Sequence, residues 1–96
     1  MKRLRLTPEA ERDLDEAYSW YQAQRPGLAA GFLAAVGTCI SSTRRRPGAF
    51  QLVDPTMRRA LLRRFPCAVF YEVGAVDIVV YAVFHCQGPP RLEAQT

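Results

Sequence analysis

The most apolar part of the chain, residues 63–85, reads RRFPCAVFYEVGAVDIVVYAVFH and contains two runs, residues 68–73 and 76–84, dense in Val, Phe, Tyr and Ile. Gly74-Ala75 separates them, so the pattern predicts two antiparallel strands joined by a tight hairpin. Pro66 cannot donate a ladder hydrogen bond and belongs at a strand start. Upstream, residues 2–6 (KRLRL) alternate basic and apolar positions, as a half-buried strand does. Thr7 then stands as an N-cap with Pro8 at the first helical position, and Glu9 and Glu11 suit the positive end of the helix dipole. Ala10, Leu14, Ala17, Tyr18 and Tyr21 form one apolar stripe of a helix that ends near Gln24, before Pro26-Gly27. A second helix is expected over residues 28–43, with Leu33, Val36 and Ile40 on one face and Phe32, Ala35 and Cys39 beside it. A loop from Pro47 to Pro55 and a basic strand over residues 57–65 lead into the hairpin. The tail from residue 87 is expected to be extended.

The order is strand, helix, helix, strand, strand, strand. It predicts one α+β domain over residues 1–96, a β-α-α-β-β-β chain whose helical hairpin packs on one face of a small, mainly antiparallel, curved sheet. Along the last strand Ile78, Val80, Ala82 and Phe84 point one way, and Val79, Tyr81, Val83 and His85 the other. Both sets are apolar, yet only one helical layer exists to cover them. Either the sheet curls over its second face, or another chain covers it.

Charge sharpens that expectation. The net charge is +4, but five of the nine acidic residues lie between Glu9 and Glu16, whereas residues 44–64 hold seven arginines against Asp54 alone. Such segregation favours an anionic partner near the middle of the chain. Twelve of the thirteen basic residues are arginine, the side chain suited to planar, bidentate contacts. Cys39, Cys67 and Cys86 are odd in number and lack metal-binding spacing, so neither a disulfide framework nor a zinc site is expected, and no other metal or cofactor is implied. Cys39 and Cys67 read as apolar filler. No apolar run approaches the roughly 20 residues of a membrane span, and the N-terminus turns acidic where a secretion signal would be apolar, which points to the cytoplasm.

Several motifs resemble one family. TPEAERDLDEAYSWY from Thr7 to Tyr21, FLAAV from Phe32 to Val36, RRxLLRRFP from Arg58 to Pro66, Phe70-Tyr71, and an apolar strand closing on His85 with Pro90 beyond are similar, in order and spacing, to the RelE/ParE toxins of type II toxin–antitoxin systems. The resemblance implies the β-α-α-β-β-β fold and a neighbouring, usually acidic antitoxin that wraps around the toxin. It also implies one of two activities: ParE-like members poison DNA gyrase, and RelE-like members cut messenger RNA in the ribosome.

RNA cleavage without a metal needs an acid, a base and cations on the phosphate. Arg59, Arg64 and His85 are the candidates. The tail after His85 offers no Tyr, Trp, Phe or Lys to stack a base or donate a proton. Gly88 stands where the family commonly has arginine, and Leu92-Glu93 replaces an aromatic, with Arg91 as partial compensation. The tail disfavours RNA cleavage, and the resemblance then implies a ParE-like, non-enzymatic gyrase inhibitor with no catalytic residue. Arg58, Arg59, Arg63, Arg64, Tyr81, His85 and Arg91 are expected to touch antitoxin or target. A ribosome-dependent endoribonuclease is the alternative, and a member that only binds antitoxin is the third reading. Trp20, Tyr18 and Tyr21 offer a stacking platform, but at helical spacing they read as core and interface.

Overall fold

The computed structural model describes residues 2–85, with His85 described by its backbone alone. Strand β1 (Arg3–Leu6) is followed by helices α1 (Pro8–Gln24) and α2 (Leu28–Arg45). A 3-10 turn (Pro47–Ala49) leads to a two-residue strand β2 (Gln51–Leu52), then to β3 (Met57–Leu61), β4 (Cys67–Val73) and β5 (Asp77–His85). The strands form one sheet in the order β1-β5-β4-β3-β2, antiparallel except where β1 runs parallel to β5. The fold class expected from the sequence is the one observed, with β2 added inside the predicted loop. The basic strand is shorter than expected, ending at Leu61 rather than Phe65.

Local chemistry sets the helix boundaries. Thr7 Oγ1 accepts from Ala10 N–H at 3.1 Å, closing the first turn of α1, and donates to Tyr81 O at 3.1 Å. Its own N–H meets Val80 O at 3.0 Å, so a single residue ends β1, caps α1 and ties both to β5. Thr7→Ala is expected to lower stability by about 1–2 kcal/mol, the range for a lost cap; a drop in the urea midpoint at unchanged slope would record it. Pro26 stops α1, and Gly27 turns the chain into α2 with φ of 85°, a left-handed conformation glycine adopts without strain.

Both helices lie on one side of the sheet. Ala10, Ala17 and Tyr21 of α1 and Ala29, Phe32, Val36, Cys39 and Ile40 of α2 are buried against Ala60, Val69, Tyr71, Ile78, Val80 and Val83. Tyr21 packs its ring on Phe32 and Phe65 at centroid distances of 5.0 and 5.1 Å, and Trp20 meets Tyr21 edge-on at 5.1 Å. These rings belong to core packing, while Tyr18 is left exposed. Leu33, expected on the inner face of α2, is exposed; the buried stripe is Ala29, Phe32, Val36, Ile40 and Thr43 instead. An apolar arc that wide does not fix the helix rotation, and the fit of Phe32 between Tyr21 and Phe65 does.

The two-face reading of the last strand also needs correction. Phe70 pairs with Ala82 and Tyr71 with Val80, so Tyr81 is an extra residue opposite the β4 ladder, a β-bulge. The bulge reverses the alternation beyond it. Ile78 and Val80 are buried before it and Val83 after it, so Val83 faces the helices and Phe84 the open side.

Candidate functional site

The sheet surface away from the helices is the candidate site. It is apolar at one end: Leu61 of β3 and Phe84 of β5 are 66% and 61% exposed. These two side chains, with Arg59, Phe65, Ala68 and Phe70, line a shallow cavity of about 350 Å³. A second cavity of about 280 Å³ continues past Phe70 and Phe84 to Asp13 and Glu16 of α1. There Asp13 Oδ2 accepts from Val83 N–H at 3.0 Å and caps the edge of β5 beyond the end of β1. A strand edge left bare at that point would invite pairing with other chains, and a carboxylate on it blocks that route.

The other end of the face is polar. Tyr81 Oη donates to Glu72 Oε1 at 3.1 Å, and Thr56 Oγ1 donates to Glu72 Oε2 at 2.6 Å. The hydrogen bond to Glu72 and then its negative charge hold the Tyr81 phenol above its ordinary pKa, so it stays a neutral donor at neutral pH. Arg5 and Asp77 form an ion pair at 3.3 Å beside it, the one such pair among the described residues. The second face is thus apolar and cationic over one half only, less uniformly greasy than the sequence implies.

The remaining predicted site residues divide by position. Arg58 turns to the helix side and donates to Phe50 O at 2.6 Å and Gly48 O at 3.4 Å, holding the loop before β3. Arg59 sits on the open face with its guanidinium on Gln51 Oε1 at 2.7 Å. Arg63 and Arg64 project from the β3–β4 turn, which is closed by Leu62 N–H to Cys67 O at 3.0 Å and Cys67 N–H to Phe65 O at 2.8 Å. Arg64 has φ of 68°, a left-handed conformation costing a non-glycine residue about 1 kcal/mol. Both arginines line a cavity of about 490 Å³ against α2, and Arg64 borders another of about 480 Å³ near Gly27. The backbone of His85 pairs with Cys67 at the end of β5. The His85 side chain, Cys86, Arg91 and the predicted extended tail lie outside the described residues.

Arg59 and Tyr81 are therefore brought onto one face, whereas Arg58 and the Arg63-Arg64 pair face elsewhere. Leu61, Phe70 and Glu72 complete that face, and sequence reasoning did not single them out. Strand alternation from Arg59 would have pointed to Leu61; the bulge that turns Phe84 outward left no such signal. Cys39 and Cys67 are buried, with Cys67 Sγ 3.9 Å from Tyr21 Oη, and burial pushes the Cys39 thiol up from its ordinary pKa. Among the described residues no three His, Cys, Asp or Glu side chains cluster as metal ligands, and no helix is long and apolar enough to cross a membrane.

The family described as the ParE toxin of the type II toxin–antitoxin system, parDE, matches residues 4–88. The chain belongs to the ParE toxin family. Its fold is also similar to that of a solved structure, the chromosomal ParDE toxin–antitoxin system from P. aeruginosa. That match has a TM-score of 0.78 and 22% identity and covers 91% of this chain and 98% of that one. None of the curated proteins matches the sequence. Membership in the ParE family agrees with the motifs running from Thr7 to Pro66, and the five-stranded sheet under two helices is the fold shared with the P. aeruginosa protein.

Proposed function

We propose that this ParE-family chain is the toxin of a toxin–antitoxin module, that it acts in the cytoplasm as a non-enzymatic inhibitor of DNA gyrase, and that a cognate acidic antitoxin neutralises it by covering the open sheet face. The observation that carries the antitoxin half of this reading is the exposure of Leu61 and Phe84 beside Arg59, on the sheet face opposite the helices. A pair of large apolar side chains rimmed by a guanidinium is the composition of an interface centre. Gyrase as the target follows from family resemblance. On this reading Tyr81 and Arg59 contact the antitoxin, Arg63 and Arg64 its acidic side chains, and His85 and Arg91 the antitoxin or the target.

The RNA-cleaving alternative asks Arg59, Arg64 and His85 to share one phosphate. Arg59 lines the open-face cavity and Arg64 the cavities against α2, which weighs against a common clamp. Induced expression separates the two. Filamentation and DNA damage with protein synthesis continuing is the expected result, and His85→Ala should leave it unchanged. Rapid arrest of translation that His85→Ala abolishes would overturn the gyrase reading.

A further inference from the structure

Among the described residues, the outer edge of β3 is left open at one residue by the way the ladder is built. Leu62 N–H bonds Cys67 O on the β4 side. Since Leu61 is in register with Ala68, and Ala60 with Val69, the main-chain groups of residues 60 and 62 point to β4. Those of Met57, Arg59 and Leu61 then point outward, and Val53 N–H on Met57 O at 2.8 Å fits that parity. Strand β2 covers Arg58 and Arg59 and goes no further. Continued by its register, it would bring Ala49 opposite Leu61. Ala49 instead curls into the 3-10 turn, its N–H bonded to Arg46 O at 3.0 Å. Tyr71 Oη on Pro47 O at 3.0 Å and Arg58 on Phe50 O at 2.6 Å fix that detour from the core side. Among the described residues Leu61 O is reached only by the weak S–H donor of Cys39, at 4.0 Å.

That edge borders the cavity of about 490 Å³, whose opposite wall is the small-residue side of α2, Ala34, Ala35, Thr38 and Ser42. Small side chains there leave space where a long one would close it. Arg63 and Arg64 line the groove, and among the described residues no acidic side chain lines it and neither arginine has an acidic partner. We propose that this groove receives an extended acidic segment of the antitoxin, which pairs with Leu61 as an added edge strand and sets its carboxylates against Arg63 and Arg64. The inference rests on the antitoxin reading above and names a second contact, at the backbone edge and the α2 groove, which adjoins the open face at Leu61.

An added strand can use both outward groups of Leu61. A helix lying in the same groove bonds its own backbone and would leave them as they are. A second copy of this chain fits less well, because its acidic residues are concentrated on helix α1 rather than on an extended segment. Its C-terminal residues 86–96 hold Glu93 as their one acid, offset by Arg91.

The test uses the toxin co-expressed with the product of the neighbouring reading frame. Amide exchange at Leu61, read by NMR, is expected to slow about 100-fold between free toxin and complex. Leu61→Pro removes the outward N–H and keeps the β4 ladder, a change strand edges accept; read against Leu61→Ala, which also loses the open-face side chain but keeps the N–H, it is expected to bind about tenfold more weakly. Should that variant fail to fold, Thr38→Trp fills the groove from an exposed helix position and is expected to weaken it at least about tenfold. Arg63→Ala and Arg64→Ala should each weaken binding about fivefold and flatten its salt dependence. A complex that forms with Leu61 exchange unchanged, and binds Thr38→Trp like wild type, would overturn this inference and leave the antitoxin reading standing. Absence of any complex would overturn both.

Discussion

Replacing Phe32 by alanine is expected to remove about 3–5 kcal/mol of stability, a large part of the roughly 5–15 kcal/mol that a domain holds. The ring is fully buried and contacts Tyr21 and Phe65 at centroid distances of 5.0 and 5.7 Å. It therefore ties α1, α2 and the turn before β4 into one unit; its removal deletes two aromatic pairs, and Tyr21 and Phe65, packed on each other at 5.1 Å, would have to part to fill the space. Leu33 is the control, the next residue on the same helix and 44% exposed. Leu33→Ala should cost less than about 1 kcal/mol. Urea unfolding of both variants checks the rotation of α2; equal losses would mean that the helix presents a different face to the sheet.

The second large effect concerns binding. Phe84→Asp and Leu61→Asp are each expected to leave the fold intact and to weaken the antitoxin complex at least about 100-fold, the scale of a truncated interface anchor made worse by a buried charge. Both side chains are mostly exposed in the free chain, so a carboxylate there costs the monomer little. Val76→Asp is the matched control. Val76 is 68% exposed, but it lies at the hairpin tip, eight residues along from Phe84 and so roughly 25 Å away along the strand direction. Calorimetry should find its affinity near wild type. Equal weakening by all three variants would point to net charge rather than to a face.

Much of this fold is legible in the sequence because its signals are local. Thr7-Pro8 and Pro26-Gly27 mark α1 within a residue, and Gly74-Ala75 marks the hairpin. What escaped depends on contacts between distant segments. The parallel pairing of β1 with β5 joins Arg3 to Asp77 across most of the chain, and no short-range pattern encodes it. Strand β2 is two residues held by register with Arg58 and Arg59, too short to show periodicity. The bulge at Tyr81 carries neither glycine nor a break in hydrophobicity, so a strict two-residue period misassigned Val83. The arginine cluster was visible by composition, but its division was not. Arg58 faces inward to loop carbonyls, Arg59 outward, and Arg63 and Arg64 toward α2, which follows from strand parity and one left-handed turn residue.

Hydroxyl-radical footprinting of the free toxin and of the complex with its neighbour-encoded partner tests the central claim most directly. Strong protection of Leu61, Phe84 and Tyr81 in the complex, with Val76 and Tyr18 equally reactive in both states, is the predicted result. Leu61 and Phe84 labelled alike with and without the partner would contradict it, and with it the view that the uncovered side of the sheet exists to be covered by the antitoxin.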